Sequence, residues 1–132
     1  SINPSERGAG RMDVMNERDS YREMILENIE YDIIADRNNR DRLDEMVEIM
    51  LDAVCSSKDT IRINGEDMPK EVVKSRFLKI NSSHIEYVFD ALENTPSEVR
   101  NIRNYLLTTL YNATLTMDSY WTAKVNHDMY GR

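Results

Sequence analysis

The chain has 132 residues, 40% of them hydrophobic and 31% charged, with a net charge of −7. That is the length of one domain, able to bury roughly two-thirds of its unfolded surface, and the composition fits a soluble globular domain and not a disordered one. No apolar run approaches the roughly 20 residues a bilayer requires, no signal peptide is visible, and the single cysteine, Cys55, excludes an internal disulfide and fits a reducing cytoplasm.

The negative charge is concentrated. Residues 11–52 hold 13 acids against 6 bases, whereas residues 53–132 hold 10 of each. An acidic surface repels phosphate, so strong DNA binding by this domain alone is not expected, although the balanced part leaves room for a local basic patch. The chain opens on Ser1, and SINPSERGAG over residues 1–10 is rich in Ser, Gly and Pro with little to bury. Residues 1–18 therefore read as a linker or disordered segment, and 19–132 as a single helical domain of something longer.

Helix punctuation then sets the order of elements. Ser20 and Glu23 make an S-x-x-E capping box that opens a first helix through Tyr21, Met24, Ile25 and Ile29. It runs to Ile34 or breaks in two before the polar turn Asp36-Arg37-Asn38-Asn39. A second helix carries Leu43, Met46, Val47, Met50 and Val54 at helical spacing, with Ile49 and Leu51 widening the stripe toward burial on more than one side. Thr60-Ile61-Arg62-Ile63 alternates and is β-branched. Asn64-Gly65 follows as a hairpin turn, and the return strand is limited to Glu66, Asp67 and Met68 because Pro69 cannot continue a ladder. Pro69 instead suits the first position of a third helix over 70–80, with Val73, Phe77 and Ile80 on one face. A box of Ser83 and Glu86 starts a fourth helix with Ile85, Val88, Phe89 and Leu92, and Thr95-Pro96-Ser97-Glu98 starts a fifth. The fifth runs to about Leu115 with Val99, Ile102, Leu106, Leu110 and Ala113 buried, and a last helix begins near Thr116 or Asp118. The expected fold is all-α, a compact bundle of five to six helices with one short β-hairpin near residues 60–68.

The residues offer little chemistry. His84 and His127 lie far apart with no partner at a metal-ligand spacing. Cys55 ends an apolar stripe and reads as a small buried hydrophobe, with no histidine placed beside it as base. Gly8-Ala9-Gly10 follows no strand and is not a phosphate loop. The carboxylates over residues 17–52 read as a solvated acidic face, and no pair is singled out for acid–base work. No enzyme activity, metal or cofactor is expected.

Two segments stand out. Lys74, Arg76 and Lys79 bracket the apolar face of the third helix, and Arg62, Arg100 and Arg103 would add to one basic surface if the fold brings them together. They are an ordinary solvated helix face or a contact site for DNA phosphates or an acidic partner. The C-terminal stretch holds Tyr120, Trp121 and His127 among polar residues and methionines. Such aromatics close a core or form a partner or self-association surface.

Several phrases resemble a known family. Thr60-Ile61-Arg62-Ile63, Val72-Val73-Lys74-Ser75-Arg76-Phe77-Leu78-Lys79 and Asn81-Ser82-Ser83-His84-Ile85-Glu86-Tyr87-Val88 look like the C-terminal domain of replication initiator protein A of Gram-positive (Firmicute) plasmids and conjugative transposons. So do Glu27-Asn28-Ile29-Glu30-Tyr31-Asp32, Val99-Arg100-Asn101-Ile102-Arg103-Asn104-Tyr105-Leu106-Leu107, Leu110-Tyr111-Asn112-Ala113 and the stretch from Met117 to Gly131. In that family a separate winged-helix domain recognises the origin. The resemblance implies a non-catalytic module that recruits or regulates host replication proteins, such as the helicase loader or helicase, similar in role to the helicase-loading domains of primosome proteins. The alternative is an auxiliary DNA-binding or oligomerisation domain, with Lys74, Arg76 and Lys79 as its DNA contacts.

Overall fold

The computed structural model describes the backbone of residues 4–95 and 99–130, and the side chains of 16–95 and 99–117. Among the described residues it contains six helices and one two-stranded hairpin. The all-α architecture is as expected, but several boundaries are not.

Helix α1 (Pro4–Asn28) is continuous. It passes through Ser20, where the sequence places its start, and includes residues read as linker. Pro4 occupies the first helical position, where its missing N–H is no loss. Gly8 and Gly10 each weaken a helix by about 1 kcal/mol relative to Ala without breaking it. The break comes at Glu30, a non-glycine residue in the left-handed region (φ 58°, ψ 47°), after which the chain re-enters a helix as the short α2 (Tyr31–Ile34). The polar turn then closes on itself. Asp36 Oδ1 accepts from the amides of Asn38 and Asn39 at 2.7 and 2.8 Å, and Asn39 Oδ1 accepts from the Asp36 amide at 2.8 Å.

Helix α3 (Arg40–Val54) is the centre of the fold, with eight buried residues. Ile49 and Leu51 are buried along with the main stripe because α1, α4 and α6 all pack against this helix. Strands β1 (Thr60–Ile63) and β2 (Glu66–Pro69) pair antiparallel, Ile61 opposite Met68 and Arg62 opposite Asp67. Asn64 (φ 52°) and Gly65 (φ 80°) supply the two positive φ angles of the turn. Pro69 is the last pair of the ladder, opposite Thr60, and not the first residue of the next helix. It fits there because the terminal position asks no N–H of it, and the Lys70 amide next along donates to the Asp59 carbonyl at 2.8 Å.

Helix α4 (Lys70–Phe77) buries Val73 and Phe77. Helix α5 (Ser82–Glu93) is capped by Asn81 and not by Ser83, and His84 takes the place of the expected Glu86 in the box. Helix α6 (Ile102–Tyr130) is a single helix about 44 Å long at 1.5 Å per residue. It begins later than expected, with Asn101 Oδ1 accepting from the Asn104 amide at 3.1 Å. The expected box at Pro96, Ser97 and Glu98 lies outside the described residues. No second helix starts at Thr116 or Asp118, since nothing between Ile102 and Tyr130 is Gly or Pro. The threonines adapt to the helix, with Thr109 Oγ1 donating to the Tyr105 carbonyl at 2.6 Å and Thr114 Oγ1 to that of Tyr111 at 2.6 Å.

The core gathers Ile25 from α1 and Ile29 just after it, Val73 and Phe77 from α4, Ile85 and Val88 from α5, and Leu106 and Leu110 from α6 around α3. Burying each such side chain contributes about 1.5–3 kcal/mol. No helix among the described residues is long and apolar enough to cross a membrane.

Candidate functional site

The six basic positions singled out in the sequence do not form one surface. Arg62 pairs with Asp67 across the hairpin at 3.0 Å. Arg103 on α6 reaches Asp52 on α3 at 2.5 Å, and both arginines line one shallow pocket together with those two carboxylates. Lys74 turns the other way and lies 5.0 Å over the ring of Tyr21 on α1. Hydrogen bonding to Tyr21 raises the Lys74 pKa. Arg100 is exposed just before α6. Only Arg76 and Lys79 share a cleft in which neither has an ion-pair partner among the described residues. The side chains of Tyr120, Trp121 and His127 lie outside the described residues.

Arg103 belongs to a clasp. Asp52 accepts from both Arg103 and Arg18 (3.0 Å), while Glu48 accepts from Arg18 (3.1 Å) and Arg22, so that α1, α3 and α6 are tied through one charged seam. Burial pushes the Asp52 carboxyl up, but hydrogen bonds from Arg103 and Arg18 outweigh it and hold the group below its ordinary value. Glu48 is lowered too, chiefly by its hydrogen bond from Arg22. These bases are part of the fold and not a free docking surface.

The cleft holding Arg76 and Lys79 has a volume of about 670 Å³ and lies between α4, the start of α5 and α6. The Arg76 guanidinium is held 5.6 Å over the ring of Tyr111, itself only 7% exposed. Its Nε is fully buried and has no hydrogen-bond partner among the described residues. A buried donor left unsatisfied costs about 1–3 kcal/mol.

A second concavity lies at the α1–α2 corner. Leu26, Tyr31 and Ile33 line it, and Glu23, Glu27, Glu30 and Asp32 rim it. None of these four carboxylates has an ion-pair partner among the described residues. Ile33 is 79% exposed, and Met24 nearby on α1 is 43% exposed. Tyr31 is fixed from outside the groove by donating its hydroxyl to Asp44 Oδ1 at 2.5 Å, which raises the phenol pKa. In the sequence these carboxylates read as a solvated face, and Ile33 does not stand out. Its signal was the run Ile25, Ile29, Ile33, which a straight helix would bury on one side. The left-handed Glu30 turns the last of the three outward.

Among the described residues no three His, Cys, Asp or Glu side chains are grouped to hold a metal. Cys55 is half-buried, and no histidine is its partner in any hydrogen bond among the described residues. No curated protein and no solved structure matches the chain. Over residues 1–131 it matches, and belongs to, a family of unknown function (DUF6017).

Proposed function

We propose that this chain is a non-catalytic protein-interaction domain of a replication initiator from a plasmid or conjugative element, working in the cytoplasm. Its α1–α2 groove receives a basic amphipathic segment of a host replication protein of the helicase-loader or helicase class. The observation that carries the interaction reading is the groove: an exposed isoleucine beside apolar side chains, among four carboxylates with no ion-pair partner among the described residues. Crowded like charges favour a cationic partner and speed its approach, and the apolar centre supplies area that stays buried once it arrives. The initiator reading is supported by the sequence resemblance that spans most of the chain. The scattering of Arg62, Lys74, Arg76 and Arg103 removes the feature that would favour DNA as the main partner.

The test is direct binding of the purified domain to purified host helicase and helicase loader, by calorimetry at two salt concentrations. Binding is expected to weaken at least tenfold with Ile33→Asp and with Glu27→Lys, and to weaken with salt. If neither host protein binds the domain while the full-length initiator binds one, the domain is not the recruiting part. Binding that survives both substitutions would move the contact away from the groove.

A further inference from the structure

The cleft between α4, α5 and α6 is separate from the acidic groove, and what it can bind does not depend on that groove holding a protein. The geometry points to a binding site for a single carboxylate group, held by the Arg76 guanidinium with Lys79 beside it. Four features lead there. Contact with the face of Tyr111, 5.6 Å from Cζ to the ring centroid, anchors the guanidinium at the wall of the cleft. Nε of Arg76 is buried with no acceptor among the described residues, so the guanidinium keeps donors that a carboxylate can match. Lys79 lines the same cleft and has no ion-pair partner among the described residues. Ser75 and Asn81 add polar groups at the mouth.

Charge selects the anion. Arg76 and Lys79 face one acid, Glu71, so the cleft carries a net charge near +1. That balances a monoanionic carboxylate and leaves a phosphate dianion partly uncompensated beside Glu71. A nucleic-acid backbone needs a row of cations to release its counterions, and here Arg103, Arg62 and Lys74 are engaged by Asp52, Asp67 and Tyr21. The carboxylate can arrive on the side chain of a protein partner or as a free small acid, and the same recognition serves both.

The experiment is a titration of the ¹⁵N-labelled 132-residue chain, followed by NMR at fixed ionic strength and neutral pH. Sodium propionate is one probe, and a peptide blocked at both ends with a single glutamate is the other. Either is expected to shift the Arg76 Nε–H and the Ser75 and Asn81 amides saturably, with chloride as control. Arg76→Lys keeps the charge but loses the paired donors, and should weaken binding at least tenfold. Lys79→Gln should weaken it about threefold, both variants melting close to the parent by circular dichroism. Tighter binding of the peptide assigns the carboxylate to a protein, and tighter binding of propionate assigns it to a free acid. The site is refuted by shifts no larger than those from chloride, by unchanged affinity in Arg76→Lys, or by inorganic phosphate or a DNA oligonucleotide saturating the same resonances at lower concentration.

Discussion

Nδ1 of His84 accepts a hydrogen bond from the Asn81 amide at 3.0 Å, while Asn81 Oδ1 accepts from the His84 amide at 3.3 Å. Each residue satisfies a backbone or side-chain group of the other, and Asn81 Oδ1 takes the Ser83 amide as well at 2.9 Å. The bond to Nδ1 requires that nitrogen unprotonated, which places the ring proton of the neutral imidazole on Nε2. Asn81→Ala should destabilise the domain by about 1–2 kcal/mol, and Asn81→Ser should recover most of that because serine also caps. His84→Gln keeps an acceptor at the third helical position and should cost less than His84→Ala. Urea unfolding of the single and double variants measures both, and a coupling near zero in the double-mutant cycle would show that the two bonds act separately.

The charged seam predicts how stability responds to acid. Asp52 and Glu48 are both held below their ordinary values in the fold. Groups lowered in this way stabilise the native state at neutral pH, and the gain is lost as pH falls through their folded values. Both carboxylates are more than a third exposed, so each pair contributes only about 0.2–1 kcal/mol. Asp52→Asn should therefore lower stability slightly at pH 7, flatten the acid limb of a pH–stability curve, and make the remaining stability less sensitive to salt. An acid limb identical to that of the parent would mean that Arg18 and Arg103 do not hold Asp52 in solution.

The same residues show what could be read in advance. The stripe of α3 and the Asn64-Gly65 hairpin were legible because they are local: spacing decides one, and tolerance of positive φ the other. The start of α5 was displaced by two residues because His84 serves as a capping acceptor, a role that the Ser-x-x-Glu pattern assigns to Glu86. The start of α1 was missed because composition describes residues 4–18 one at a time, whereas a helix already nucleated in packed residues propagates at little cost. The number of basic residues is legible in the sequence, but their directions are not. Lys74 and Arg76 are two apart on one helix, some 200° around its axis, so one meets Tyr21 on α1 and the other Tyr111 on α6. The outward turn of Ile33 depends on one backbone angle at Glu30, which no residue pattern announces.

Cys55 gives a prediction about reactivity. Burial pushes its thiol up from the ordinary value, so at pH 8 the thiolate is scarcer than in a free cysteine and the sulfur is harder to reach. Reaction with a disulfide reagent should be several-fold slower in the native protein than in urea. Equal rates in the two states would mean that the end of α3 opens readily.

Glu30 carries the last prediction. Its left-handed conformation costs a residue with a Cβ about 1–2 kcal/mol, and no side-chain hydrogen bond caps α2 to offset it. Glycine adopts this conformation freely but gives the unfolded chain more freedom, which takes back up to about 1 kcal/mol. Glu30→Gly should thus be neutral or stabilising by up to about 1 kcal/mol, although most substitutions destabilise. Glu30→Ala keeps the strain and removes a carboxylate from the groove rim, so its stability should stay near that of the parent. The two variants separate backbone from charge: both lose the same negative group toward a basic partner, but only the glycine relieves the turn. Thermal melts that place Glu30→Gly below Glu30→Ala would show that the turn at residue 30 is not strained. The outward display of Ile33 would then need a cause other than a fixed backbone kink.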